Sequence, residues 1–305
     1  MEIKHYFGKV LLFGEYSMLY GGPALIMPLY SYSAHWNYIW RSPGKRNYAS
    51  NRSLRCFADY LSQNNYIVSN LNIDRFRFDL RKGLFLDSNI PNGYGVGSSG
   101  ALTAAIYDRF HQGDIIEDYN ELKHLLGLME SCFHGNSSGL DPLQCFIGKP
   151  LSICDDVVNI LDKDFIHKDI HVFLIDTGAK CETKNLVSYF MEQHGKDSYC
   201  RAYNELYVPL VKLCIDNLIS GSLDDFFSSL ERLSYYQTVM LSPMVTDSML
   251  PLMKMKRADA HFQVKICGSG GGGFFLGFSD DKDATEKYMK DNGFPIIWVD
   301  EENQK

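Results

Sequence analysis

The sequence predicts a mixed strand-and-helix fold of about two domains, and three observations carry that prediction. Strand-like runs dominate the first 90 residues, helical periods dominate 119–258, and a strand–glycine–strand segment lies near the end. At roughly 100 to 200 residues per domain, 305 residues make about two domains. Apolar residues at 45% and charged residues at 22% are ordinary for a globular chain. They exclude a disordered, collagen-like or disulfide-scaffold protein.

In chain order, residues 3–13 (IKHYFGKVLLF) read as a strand, GEYSMLYGGPAL as a turn-rich connection, and ALIMPLYSYSAHWNYIW as a second strand. The polar stretch 41–54 reads as a loop entering a helix near 53–63. FRFDLRKGLFLDSNIP alternates as strands do and ends at Pro91. After NGYGVGSSG comes the helix former ALTAAIYDRFH. Residues 119–133 carry apolar side chains at 122, 125, 126, 129 and 133, the helical period. HGNSSGLDP is a polar turn, LSICDDVVNIL and HVFLIDTG are strand-like, and KNLVSYFMEQ, 198–219, 222–239 and 243–258 read as helices. FQVKICGSGGGGFFLGF, a further helix and PIIWV complete the chain. The division falls near 155–168 and is drawn as 1–165 and 166–305.

A formal charge of −7, from 30 basic and 37 acidic residues, argues against a dominant nucleic-acid surface. It leaves phosphate-bearing ligands open, because backbone N–H groups and one or two cations hold those locally. Eight cysteines with no CxxC pair and no Cys/His metal spacing read as buried, reduced thiols. No apolar run approaches 18 residues. A cytoplasmic protein with no membrane partner is expected.

Three glycine-rich loops could carry chemistry. GYGVGSSG holds G-x-G-x-x-G at Gly95, Gly97 and Gly100 directly before a helix, but its approach is polar and Pro-broken, unlike a dinucleotide fold. It fits a phosphate-cradling loop, with Ser98 and Ser99 where a hydroxyl can reach a metal–nucleotide complex. GNSSG (135–139) has the GxSxG spacing of a hydrolase elbow. It follows a helix rather than a strand, so Ser137 is a poor nucleophile and the segment reads as a loop presenting Asp141. Glu130, on the border of an apolar helix face, needs a partner, either a cation or a basic side chain. CGSGGGG (267–273) has four consecutive glycines, more than a turn needs, which suggests close approach to a ligand. Lys9 and Glu15 flank a strand end.

Together these residues carry a resemblance. PNGYGVGSSGAL (91–102) resembles the P-x-x-x-G-x-G-S-S-A-A signature of the GHMP kinase superfamily, GKVLLFGEYSMLYGGPAL its first motif, and KICGSGGGGFFLGF its third. ESCFHGNSSGLDP (130–142) is similar to the mevalonate kinase stretch E-x-x-x-H-G-x-x-S-G-x-D-N, and DTGAKCETKNLV to a later segment of it. The resemblance implies a two-domain α+β fold: an N-terminal β-α-β nucleotide-binding domain with a left-handed crossover, a C-terminal ferredoxin-like domain, and a site in the cleft between them. It implies ATP and Mg²⁺, and phosphorylation of a small-molecule alcohol, mevalonate being the expected substrate in isoprenoid synthesis, by a monomer or homodimer.

Residue by residue, Asp141 becomes the catalytic carboxylate and Lys9 its charge partner. Glu130 with Ser98 or Ser99 becomes the metal set. Gly93, Gly95, Gly97, Ser98, Ser99 and Gly100 wrap the phosphates, and Glu15, Gly270, Gly271 and Thr183 line the acceptor. The chain departs from the pattern at Phe13-Gly14-Glu15-Tyr16, where mevalonate kinases carry H-G-E-H. It also has Gly100 where Ala is usual and Pro142 where Asn follows the catalytic Asp. Those departures leave the acceptor open among mevalonate, phosphomevalonate, homoserine and a sugar. A catalytically silent nucleotide-binding member is the alternative from another class.

Overall fold

FGKVLLF forms β1 (Tyr6–Phe13), buried along nearly its whole length rather than in alternation, the pattern of a strand covered on both faces. The computed structural model describes residues 3–39, 45–135, 137–155, 157–179, 183–220 and 222–299. A 3-10 turn (Ser17–Tyr20) leads to β2 (Ala24–Tyr38), whose 15 residues accept partners at both ends. The far end pairs antiparallel with β3 (Leu84–Ser88), Ala34 opposite Ser88. The near end pairs with β4 (Leu151–Cys154), Ala24 opposite Ile153, and β4 forms a hairpin with β5 (Val157–Ile160). The strand order is β1-β2-β4-β5, with β3 on β2.

Among the described residues, six helices belong to the first half: α1 (Lys45–Leu61), α2 (Asn65–Asn70), α3 (Ile73–Arg81), α4 (Ser98–Phe110), α5 (Tyr119–His134) and α6 (Leu140–Ile147). Asn64, Asn72 and Asp118 cap α2, α3 and α5 by accepting first-turn N–H bonds. Two sequence expectations are corrected here. The helix expected near 53 already starts at Lys45. FRFDLR, expected as a strand, is the body of α3. Ile73, Phe76 and Leu80 recur at helical spacing on one buried face, and that face, with the Asn72 cap, outweighs the accidental alternation.

The second half follows with β6 (His171–Asp176), α7 (Thr183–His194), α8 (Asp197–Ala202), α9 (Val208–Ser220), α10 (Leu223–Met240), α11 (Leu250–Met253), α12 (Arg257–Ala260), β7 (Phe262–Ile266), β8 (Phe274–Ser279), α13 (Lys282–Asp291) and β9 (Ile296–Trp298). Its four strands lie in the order β7-β8-β6-β9, with every neighbouring pair antiparallel. Strands and helices alternate as β-α-β-β-α-β, the ferredoxin-like arrangement. The expected single helix 243–258 is broken into α11, α12 and a 3-10 turn around Pro243 and Pro251. Between α8 and α9 the backbone makes one π-helical turn, Tyr203–Tyr207, just ahead of Pro209, whose missing N–H cannot join the regular ladder. That turn buries Tyr203 and Tyr207 with their rings stacked at 4.9 Å.

Contacts divide the chain into one unit of residues 1–9, 28–91 and 96–149 and another of residues 10–27, 92–95 and 150–305. β1 and β2 each run through both units. Seven of the cysteines are described, and all seven are free thiols. Cys145 and Cys214 are buried, as expected, whereas Cys56 and Cys132 are exposed. Among the described residues no helix is long and apolar enough to cross a membrane.

Candidate active site

The site grows from the end of the first unit's stretch of β1. Lys9 sits there with its side chain 7% exposed, and its backbone N–H donates to the Val96 carbonyl at 3.0 Å. The chain at 96–97 lies so close to β1 that a Cβ on Gly8 would stand 2.9 Å from the Val96 oxygen. A Cβ on Gly97 would stand 2.6 Å from Lys9 Cγ, and Gly97 has φ +83°. Gly93 and Gly95 also adopt positive φ, with open space around them, so conformation rather than crowding requires glycine there. From Gly97 the chain turns into α4, whose first residue is Ser98, so the N–H groups of Ser98, Ser99 and Gly100 lie in its first turn, where the helix dipole favours an anion.

Lys9 Nζ reaches Asp141 Oδ2 at 2.8 Å. Asp141 lies not in a loop, as the sequence suggested, but in the first turn of α6, where the helix dipole favours a carboxylate. Gly139, in left-handed conformation, starts that helix. Pro142 is tolerated because a first-turn N–H has no helical acceptor to lose. Gly100 explains itself at the same point: a Cβ there would press on Asp141 and the Pro142 nitrogen at 3.0–3.1 Å. The two departures from the family pattern therefore touch each other.

Glu130 is buried on α5. Ser99 Oγ donates to its Oε1 at 2.7 Å and Ser137 Oγ to its Oε2 at 2.5 Å. Burial, then the nearby Asp141 charge, pushes the Glu130 carboxyl up to about 7, against the opposing pull of Ser137, Ser99 and Lys9. Its donors and its raised value fit a hard divalent cation, which takes oxygen ligands and would offset the buried charge. Glu130 with Ser99 or Ser98 would hold Mg²⁺. Among the described residues no three His, Cys, Asp or Glu gather as a metal cluster, so such a site depends on hydroxyl oxygens.

Ser137 is the residue whose role sequence reasoning missed. It lies in a loop after α5 and is engaged by Glu130, and its Oγ also accepts the Gly139 N–H at 3.0 Å, so it braces the turn into α6. Only a tertiary contact reveals this role.

The raised Glu130 value has a measurable consequence. A carboxyl whose folded value lies above its unfolded one binds extra protons in the native state, so stability falls as pH rises from about 4.5 to about 7. In chelator-treated protein the unfolding free energy from urea titration should drop over that window by an amount on the order of 3 kcal/mol. Glu130→Gln should flatten that part of the profile, and an equal slope in both proteins would contradict the assignment.

The remaining expected site residues belong to the second unit. Glu15 and Lys265 form an ion pair with both side chains 0% exposed. A buried carboxylate needs such a cation. Phe13 stacks on Phe278 at 5.6 Å, and Tyr16 donates to the Ser269 carbonyl at 2.7 Å. Gly270 and Gly271 have positive φ and lie against Met244 and Leu186, so packing demands glycine there. Gly273 supports Tyr94, whose ring lies 5.1 Å from that of Phe274. Thr183 opens α7, and its side chain is outside the described residues.

Comparison with known proteins agrees with this architecture. Residues 54–149 match the GHMP kinases N terminal domain. No curated protein matches the chain in sequence. Solved structures match over nearly the whole length. The L. major mevalonate kinase in complex with R-mevalonate is 17% identical, covers 95% of this chain and 92% of its own, and has a TM-score of 0.66. The Streptococcus pneumoniae phosphomevalonate kinase in complex with phosphomevalonate and AMPPNP is 15% identical, with 98% and 100% covered and a TM-score of 0.66. The Lactococcus lactis galactokinase complexed with galactose is 13% identical, with 97% and 92% covered and a TM-score of 0.59.

The chain has the two-domain α+β fold of the GHMP kinases, and residues 54–149 match the model of their N-terminal domain. In fold it is similar to a solved mevalonate kinase, a phosphomevalonate kinase and a galactokinase.

Proposed function

We propose that this protein is an ATP-dependent, Mg²⁺-requiring kinase of a small-molecule alcohol. The observation that carries the reading is the Lys9–Asp141 pair, 2.8 Å apart. It stands beside a glycine loop that ends in the first turn of α4 and a Glu130 held by Ser99. Phosphoryl transfer needs a donor cradle, charge neutralisation and a carboxylate to receive the hydroxyl proton, and the three sets of residues supply one each.

The backbone N–H groups from Gly97 to Gly100 hold phosphate oxygens. Asp141 accepts the proton of the acceptor hydroxyl. Lys9, paired with Asp141 at 2.8 Å, faces the oxygen that gains charge during transfer. Glu130 with Ser99 or Ser98 would hold a divalent ion, which when bound would neutralise charge on the phosphoryl group.

Mevalonate, giving 5-phosphomevalonate for isoprenoid synthesis, is the first acceptor to assay, on the strength of the ESCFHGNSSGLDP block. A different acceptor is favoured by one observation: the changed first-motif residues Phe13 and Tyr16 are buried among Phe278, Phe226 and Phe190. ADP release with Mg·ATP against mevalonate, phosphomevalonate, homoserine and galactose decides between them. Turnover on mevalonate alone supports the first reading. Turnover on another member of the panel replaces it, and absence of turnover on all four contradicts the kinase reading for these acceptors.

A further inference from the structure

A second cluster of chemistry-bearing side chains lies in the second unit, where α7 hands over to α8. His194 is the last residue of α7, and Cys200 sits on α8. The short link between them is closed by the Gly195 N–H on the Met191 carbonyl and the Lys196 N–H on the Gln193 carbonyl. Across that link His194 Nε2 stands 3.7 Å from Cys200 Sγ. The helical backbone continues past α8, so Asn204 lies one turn beyond Cys200 on the same face. Its Nδ2 donates to Cys200 Sγ at 3.3 Å. Cys200 is half-buried, and Asn204 is exposed.

These two contacts divide the work at the sulfur. An amide nitrogen only donates, so the sulfur accepts from Asn204. The thiol hydrogen is left for His194 Nε2, which accepts it when the ring proton is on Nδ1. Neighbouring rings hold the imidazole in place: Tyr20 stacks on it at 3.9 Å, and Tyr203 meets it edge-on at 5.6 Å. A thiol with a proton acceptor on one side and an N–H donor on the other is equipped to attack as a nucleophile. In a hydrolytic triad the third group would orient the imidazole. Here Asn204 meets the sulfur instead, where it stabilises negative charge on the attacking atom, so exchange at sulfur is the chemistry the cluster suits.

We propose that Cys200 is a thiolation site, served by His194 and Asn204, that takes up one half of a low-molecular-weight disulfide. The Cys200 sulfur attacks one sulfur of the disulfide RS–SR. A new S–S bond joins Cys200 to RS while the old S–S bond breaks. The thiol proton passes to His194 Nε2 and from there to the departing RS⁻, which leaves as RSH. The incoming disulfide is itself the oxidant, so the electrons balance without another reagent. The proposal does not depend on the kinase reading.

Exposure alone would make Cys56 the faster thiol, because Cys56 is exposed and Cys200 is half-buried. The test incubates the reduced, folded chain with glutathione disulfide at neutral pH and follows each cysteine by peptide mass spectrometry. Cys200 should acquire glutathione at least about tenfold faster than Cys56. His194→Phe, which keeps a ring against Tyr20, should slow Cys200 about tenfold and leave Cys56 unchanged. Asn204→Leu should slow Cys200 about fivefold, the worth of one hydrogen bond, and its exposed position keeps a variant available if His194→Phe does not fold. A wild-type Cys200 no faster than Cys56 overturns the proposal. So does an unchanged Cys200 rate in either folded variant.

Discussion

Asp141→Asn is expected to lower kcat for phosphoryl transfer by roughly a thousandfold or more, with nucleotide affinity changed by less than about threefold. The side chain keeps its shape and can still accept a hydrogen bond from Lys9, so the cradle around Gly97–Gly100 is left in place. What is lost is the base that receives the hydroxyl proton. Equilibrium titration with a nucleotide analogue separates the two effects from a general collapse of the site. The same substitution removes the second-largest influence raising Glu130. The fall in stability between pH 4.5 and 7 should therefore shrink in Asp141→Asn. A variant with wild-type turnover would remove Asp141 from the chemistry.

Gly139→Ala should be the most damaging single substitution for stability near the site. Gly139 has φ +73°, and a Cβ there would overlap the carbonyl oxygen of Lys123 and stand 3.0 Å from the Gly127 nitrogen. Gly127 is equally constrained from the other side, since its own Cβ would lie 3.0 Å from the Ser137 oxygen. Every atom in the clash is backbone, so no flexible side chain can give way. Relief requires the turn 137–139 to move off α5, and that turn positions both Ser137 and the start of α6. A loss of about 4 kcal/mol is expected in urea denaturation. A shift of Asp141 by a fraction of an ångström would also depress kcat in whatever folds. A loss below about 1 kcal/mol would show that the approach of this turn to α5 is looser than its geometry.

Much of this site is legible in the sequence, because its residues sit in short segments whose composition has a local cause. Gly93, Gly95 and Gly97 of NGYGVGSSG are needed for positive φ, and Lys9, Glu130 and Asp141 lie within recognisable stretches. Pairings that depend on distant chain segments are not legible there. Glu15 meets Lys265 across 250 positions of sequence, and neither residue's neighbours announce it. Ser137 matches the spacing of a nucleophile pattern, and only the folded turn brings it onto Glu130.

Some of the secondary structure is ambiguous for a similar reason. Phe76, Phe78 and Leu80 alternate as a strand would, but Phe78 is exposed while Phe76 and Leu80 are buried, which is a helix read on the wrong period. The stretch 243–258 has an apolar content typical of a helix, yet Pro251 divides it.

Transfer of label from γ-³²P-ATP to mevalonate, or to whichever alcohol in the panel turns over, tests the central claim most directly when run with Mg²⁺, with chelator, and with Asp141→Asn. The account predicts a labelled phosphoester from the wild-type chain with Mg²⁺, and almost none with chelator or with the variant. Label transferred equally well by Asp141→Asn, or no labelled acceptor from a wild-type chain that binds nucleotide, would contradict it.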